Sequence, residues 1–215
     1  MSHMARTAAV LLLSQVATAP IQAAQTATPS VKIGTLAPEG TNHDLNVKRW
    51  IAYRKVANPE IVYYDSFLIA GDDLANGKIN YVIVTPAHPQ QKEMAKQGEN
   101  KIFLEECFKG ATYEMGLLTR ETVQTPRSVA FMPVTAKVFD GMSYEVKISV
   151  RSNVDAGRKL VAGEVDSAVT FTSFASENPG KFKILKLIPI HDVTWQVYST
   201  KKPTTSDIGC ELSLK

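Results

Sequence analysis

The sequence predicts an α/β fold made of two lobes of βαβ units around a cleft. Three observations carry this expectation. Apolar runs of four to six residues alternate with helix-patterned segments, as in a sheet covered on both faces. The alternation occurs twice, before residue 85 and again after residue 127, with extended segments between. A last apolar strand follows the second set and can return to the first lobe. With 44% hydrophobic and 21% charged residues, the 215-residue chain has enough apolar content for two small cores.

Val31–Leu36 reads as a buried strand. Pro38 and Gly40 make a turn, and Thr41 can cap a helix over 42–55, with Asp44 placed to favour its positive end. Leu45, Trp50 and Ile51 of that helix are expected to face the core. Ile61–Tyr64 reads as a strand, Phe67–Ala75 as a short helix and Tyr81–Val84 as a strand. Thr85-Pro86-Ala87-His88-Pro89 breaks the pattern, and a polar segment runs to Asn100. Strands at 102–108 and 115–118 have no helix between them, so an antiparallel pair is expected. After a polar linker at 121–127 the second alternation begins: strand 128–131, helix 134–140, strand 145–149, helix 154–162, strand 167–170, helix 173–177 and strand 182–187. The closing strand is 193–198. Residues 31–118 then form lobe 1, with 190–200 returning to it. Residues 119–189 form lobe 2, and 201–215 a polar tail expected to fray.

Residues 1–30 read as an N-terminal extension. Met1-Ser2-His3-Met4 resembles an expression scar. Arg6, the apolar run from Ala8 to Leu13 and small residues through Ala24, with Ala17-Thr18-Ala19 among them, follow the pattern of a signal peptide. The location is therefore cytoplasmic, or periplasmic or secreted if that segment directs export. No run approaches the ~20 apolar residues of a membrane span, so no membrane partner is expected. Cys107 and Cys210 lack C-x-x-C or zinc spacing; two free thiols are expected, with one disulfide as the alternative in an exported chain. The net charge of +3, with no block of five Lys/Arg, fits a small anionic ligand and not a nucleic acid. A monomer and a homodimer both stay open.

In open α/β sheets ligands lie beyond the carboxyl ends of the strands. The first such end, Gly34-Thr35-Leu36-Ala37-Pro38-Glu39-Gly40-Thr41, presents backbone N–H groups and a hydroxyl at the start of a helix, which suits an anion. It nominates Gly40, Thr41 and Asn42. The other strand ends nominate Ser66, Thr85, Ala87, His88, Thr135, Ser152, Asn153, Phe171 and Thr172 as substrate-binding residues. His43, in the first helical turn, reads as exposed. No metal-ligand cluster, G-x-G-x-x-G or Walker loop is present, so neither a metal nor a cofactor is expected. Without a G-x-S-x-G elbow, nucleophilic hydrolysis has no support.

Thr35-Leu36-Ala37-Pro38-Glu39-Gly40-Thr41 resembles the opening motif of the prephenate dehydratase family, which has Gly where Ala37 stands. The stretch from Arg151 to Val161 resembles the family's Ser/Thr-led helix with paired alanines, and Gly163 to Thr170 the strand after it. The resemblance runs from Val31 to Tyr198 and implies the architecture of type 2 periplasmic binding proteins, which the dehydratase catalytic domains share. No counterpart of the ACT domain follows residue 200, so feedback by phenylalanine is not expected. Where the family has Thr-Arg-Phe, this chain has Thr194-Trp195-Gln196; Met132-Pro133 replaces a Ser-His-Pro-type loop, and Thr85-Pro86-Ala87-His88 a Pro-Ile-Glu-Asn loop. In these respects it resembles the ACT-less prephenate decarboxylases of bacilysin-type antibiotic pathways.

The resemblance makes Thr194 and Trp195 catalytic candidates, and His191, a histidine in a loop at a strand end, is the third. Dehydration needs an acid at the 4-hydroxyl of prephenate as carbon dioxide leaves. With no acid there, the ring stays non-aromatic and a dihydro-4-hydroxyphenylpyruvate results. Trp195, Phe171 and Met132 are the expected apolar walls. The expected function is thus a prephenate decarboxylase, with two rivals: a dehydratase whose acid is Thr194, and an exported small-molecule binding protein.

Overall fold

The computed structural model describes residues 29–205 and 208–214. In chain order it runs β1 (Val31–Leu36), α1 (Asn42–Arg54), β2 (Pro59–Tyr64), α2 (Phe67–Ala75), β3 (Tyr81–Val84), α3 (Gln91–Gln97), β4 (Phe103–Ala111) and β5 (Met115–Arg120). It continues with β6 (Ser128–Phe131), a 3-10 segment at Pro133–Phe139, β7 (Val146–Ser149), α4 (Asn153–Ala162), β8 (Ser167–Phe171), α5 (Ser173–Ser176), β9 (Phe182–Ile188), β10 (Asp192–Ser199) and β11 (Ser213–Leu214).

These strands form two sheets, of order β11-β4-β10-β3-β1-β2 and β7-β6-β8-β5-β9. In the first, β1, β2 and β3 are parallel, while β10 runs antiparallel to β3 and β4. In the second, β6, β7 and β8 are parallel and β5 is antiparallel to β8 and β9. Successive side chains of a strand point to opposite faces, so both faces of the first sheet are apolar. Ile83, Phe108, Trp195 and Val197 pack with Val47 and Trp50 of α1. Val82, Val84 and Tyr198 pack with Phe67, Ala70 and Leu74 of α2 and Met94 of α3. The second sheet has two clusters of its own, one around Leu117, Val169 and Phe171 and one around Leu118, Ala168 and Leu160.

Several expectations are corrected. The strands at 102–108 and 115–118 do not pair: β4 lies in the first sheet and β5 in the second, so the chain leaves the first lobe after Ala111. A partner closer in space, β10, takes the edge of β4 over a register of eight residues. The polar segment before Asn100 contains α3, which buries Gln91 and Met94 and so lacks an apolar stripe to announce it. The helix expected at 134–140 is a 3-10 segment beginning at Pro133. The cysteines are not free thiols: Cys107 is joined to Cys210, 103 residues on. The tail is accordingly fixed. The Lys109 amide donates to the Leu212 carbonyl at 2.7 Å, β11 pairs with β4, and Leu214 is buried beside Trp50 and Trp195. The expected extension and signal segment at 1–28 lies outside the described residues.

The helix ends follow local chemistry. Thr41 and Ser152 are extended caps whose hydroxyl oxygens accept from the Asp44 and Asp155 amides at 3.3 and 3.0 Å. The α1 face toward the crossover is polar, not apolar. Asn46 donates to the carbonyls of Asn42 and Ala111, and Arg49 donates to the same Ala111 carbonyl at 2.6 Å. The Tyr113 amide donates to Asn42 Oδ1 at 2.7 Å. The second crossover is tied to the first: Thr112 donates from its amide to the His191 carbonyl at 2.9 Å, and His191 from its amide to Thr112 Oγ1 at 3.3 Å.

Gly110 lets Asn46 come this close. A Cβ there would lie 1.9 Å from Asn46 Oδ1 and 3.2 Å from Trp195. Asn46 and Trp195 are both buried, so neither can swing away. Overpacking of a filled core costs about 1–3 kcal/mol. Gly110→Ala is expected to lower the urea midpoint accordingly with an unchanged slope.

Candidate functional site

The carboxyl ends of β1, β3, β6, β7 and β8 face one another across the gap between the lobes. There they enclose a cavity of about 390 Å3. The first lobe contributes Ala37, Thr41, Asn42, His43, Thr85, Ala87, His88 and Trp195; the second contributes Met132, Val134, Thr135, Arg151, Ser152, Asn153 and Phe171. Thr112 and His191 form the wall at the two crossovers.

The loop before α1 is fixed from beneath. Asp44, almost wholly buried, accepts from the Gly40 amide at 3.0 Å, Tyr63 hydroxyl at 2.6 Å and Lys48 ammonium at 3.0 Å. The Ala37–Pro38 peptide is cis. The Thr41 and Ser152 oxygens are used as caps, which leaves each O–H proton free to be donated into the cleft. The first two amides of α1 and of α4 have no partner within their own helices. Two positive helix ends thus meet across the cavity, the arrangement expected for an anion. Thr135 differs: its hydroxyl donates to the Met132 carbonyl at 2.8 Å.

His43 corrects the expectation of an exposed ring. It stacks among Phe67, His88 and Trp195 at centroid distances of 5.4, 6.0 and 5.1 Å. Although the residue keeps some accessible surface, its Nε2 is sealed and without a hydrogen-bond partner. Burial, with a smaller push from His88, drives its pKa down to about 3. Burial also lowers that of His88. The Gln90 amide donates to His88 Nδ1, so neutral His88 carries its proton on Nε2. No acidic side chain is among the described residues lining the cavity, and Arg151 is the one Lys or Arg there. Arg151 reaches across the mouth to Asp65 of the first lobe at 2.8 Å.

Of the nominated residues, Thr41, Asn42, Thr85, Ala87, His88, Thr135, Ser152, Asn153, Phe171, His191 and Trp195 line this cavity. Gly40 and Thr172 line a neighbouring hollow that shares Phe171 with it. Ser66 caps α2 and does not line the cleft. Nor does Thr194: Val193 and Trp195 face the cavity, and strand alternation turns the residue between them to the opposite face. Trp195 is a wall whose Nε1 is spent on the Gly110 carbonyl. His191 is engaged with Thr112 at the crossover. His43, Thr112, Met115, Arg151, Val138 and Ile188 also line it, beyond the nominated residues; the signal for His43 is its place as the second residue after the Thr41 cap. Among the described residues no group of His, Cys, Asp and Glu is arranged to hold a metal ion, and no helix is long and apolar enough to cross a membrane.

His43 gives the stability a pH dependence of known sign. The unfolded ring takes a proton near pH 6.5, the folded ring near 3, so stability is full above 6.5 and falls as the pH drops toward 3. By pH 5 the loss is about 2 kcal/mol from this ring. His43→Phe is expected to flatten the fall between pH 7 and 5 by that amount, read from urea midpoints.

No family model matches the chain, and no curated protein matches it either. Solved structures do. It is similar to a prephenate dehydratase of Arthrobacter aurescens in complex with L-Phe, at 12% identity over 82% of this chain and 62% of that one, with a TM-score of 0.55. It is similar to the quorum-quenching acylase GqqA, at 13% identity over 84% and 67% of the two chains, with a TM-score of 0.51. It is similar to the periplasmic domain of B. pertussis BvgS, at 13% identity over 82% and 38%, with a TM-score of 0.50. The chain spans less than two-thirds of the dehydratase's length. At these identities the likeness is one of fold: the two-lobed α/β architecture is type 2 periplasmic-binding-protein-like.

Proposed function

We propose that this chain is an exported binding protein for a small organic anion with an apolar body. The observation that carries the reading is a cleft rich in hydrogen-bond donors for an anion yet without an acidic side chain among its described lining residues. Two helix ends and two free hydroxyl protons converge on it, and its lining holds no acidic side chain among the described residues. His43 and His88 are biased toward neutrality, and a neutral imidazole is a weak acid. Thr194, the acid required by the dehydratase reading, does not line the cavity. The Cys107–Cys210 bond supports export, since such bonds persist in oxidising compartments. The signal-like segment at the N-terminus supports it too.

A second reading, the non-aromatising prephenate decarboxylase, is favoured by one specific observation. Met132, Val134, Val138, Phe171 and Trp195 give the cavity apolar lining on both lobes, with no carboxylate among the described lining residues. Such a lining is where a carboxylate would be lost without an acid at hand, by desolvation. Incubation with prephenate separates the readings. Unchanged prephenate favours the binding protein, a non-aromatic keto acid the decarboxylase, and rapid phenylpyruvate the dehydratase.

Thr41→Val keeps the shape of the cap and removes its hydroxyl. A hydrogen bond to a charged group contributes about 1.5–3 kcal/mol. Affinity for an anionic ligand is expected to fall roughly tenfold to a hundredfold, measured by calorimetric titration. Unchanged affinity would remove Thr41 from the site.

A further inference from the structure

Each sheet ends in two edge strands: β11 and β2 in the first, β7 and β9 in the second. A free edge offers unpaired backbone N–H and C=O groups to any extended chain. Three of these edges are blunted. β11 is two residues long, β7 four, and β2 opens on Pro59 and Glu60. β9 is the longest, at seven residues, and has no proline. Its strand partner is β5, so its outer row of backbone groups faces away from the sheet. The side chains on this edge are apolar as well. Ile184, Leu185 and Leu187 of β9, and Ile190 just beyond it, are between 44% and 59% exposed. The register on β5 slips at Leu117/Leu118 and leaves Leu185 without an opposite residue, exposed beside Ile184. Apolar side chains on an ordinary surface stand singly, whereas these form a run.

Charge decides what can lie there. From Asn178 to His191 the chain has three lysines, Lys181, Lys183 and Lys186, and no Asp or Glu. β5 has no acid either. The Lys183 ammonium leans on the Val123 carbonyl at 3.2 Å, while Lys186 is exposed. A second copy would bring the same lysines and no acid to answer them. The chain's first 28 residues hold no Asp or Glu and do not complement the edge. A lipid surface would cover the apolar side chains but strand the backbone groups away from water, which is costly. An extended segment with apolar and acidic residues in alternation answers the backbone, the apolar run and the charge together.

We propose that β9 is a docking edge for another protein, which adds to the second sheet an extended strand of alternating apolar and acidic residues. Main-chain bonds supply the pairing, Leu185, Leu187 and Ile190 the apolar contact, and Lys186 the preference for acid. The same lysines turn away copies of the chain, so one device serves both ends. Of β9 only Ile188, its last residue, reaches the cavity lining, so docking and ligand binding use different surfaces.

The probes are a seven-residue peptide of alternating Glu and Val, its Lys and Val counterpart, the first peptide N-methylated at every residue, and vesicles of phosphatidylglycerol. Each is added to the full chain with its disulfide intact, and amide hydrogen exchange is followed. The acidic peptide is expected to slow exchange selectively in β9 and to bind about tenfold tighter than the basic one. N-methylation should abolish binding, because it removes the donors that pair with the edge. Lys186→Glu should weaken the acidic peptide about three- to tenfold and strengthen the basic one. Equal binding of the two peptides, undiminished binding after N-methylation, or no protection at about 1 mM acidic peptide overturns the proposal. Protection of β9 that grows with the concentration of the chain alone overturns it in favour of a second copy. Vesicle binding without any effect of the peptide overturns it in favour of a lipid surface. The wild-type comparison needs no variant to fold.

Discussion

The Ala111 carbonyl, where the chain leaves the first lobe, accepts from both Asn46 and Arg49 of one helix. The geometry of the cleft depends on this contact. It ties α1 to the point where β4 hands over to β5, and the next residue, Thr112, is bonded to His191 of the returning crossover. The same helix begins at Thr41, in the cleft. A single rigid element therefore carries the cleft-lining loop at one end and anchors the inter-lobe connection from its side. Apolar packing could not do this with the same directional precision, which explains the buried polar face of α1. Asp44 and Asn46 are buried because each satisfies several backbone and side-chain groups.

If the cleft binds an anion as proposed, recognition there would rest on dipoles more than on full charges. Thr41 and Ser152 each accept inside their own helix, so each hydroxyl proton would be available to such a ligand. The one Lys or Arg among the described residues lining the cleft, Arg151, is shared with Asp65 at the exposed mouth. An exposed pair of this kind contributes little to stability, so giving it up to a ligand costs little. The floor is aromatic, and there burial favours the neutral imidazole of His43 over the cation. An anion proposed to bind there would be held without a strong ion pair.

Most strands and the better-patterned helices were legible because each buries an apolar face with a period that shows in the residues. β1, α2, β3 and β6 fall where the pattern placed them. What escaped was set by partners distant in sequence. α3 buries a glutamine that bonds to Tyr198, and no local pattern encodes that. Cys107 meets Cys210 because β11 lies along β4. β4 and β5 look like a hairpin locally, but β10 competes for the same edge. At the site, residues on helix starts and strand ends could be nominated because topology alone brings them together. Thr194 could not be rejected without knowing which face of β10 the cleft occupies, and His43 could not be placed without Phe67 and Trp195 around it.

The nested topology bears on how the molecule is made. The second sheet is built from one continuous stretch, β5 to β9, while the first needs β10 to insert between β3 and β4. A chain emerging from its amino end can complete the inner lobe while the outer one is still open. Until β10 arrives, β3 and β4 present unpaired edges to any neighbour. During synthesis the period of greatest risk of aggregation is therefore late, after most of the polypeptide has appeared. It ends when a strand of eight residues closes the gap.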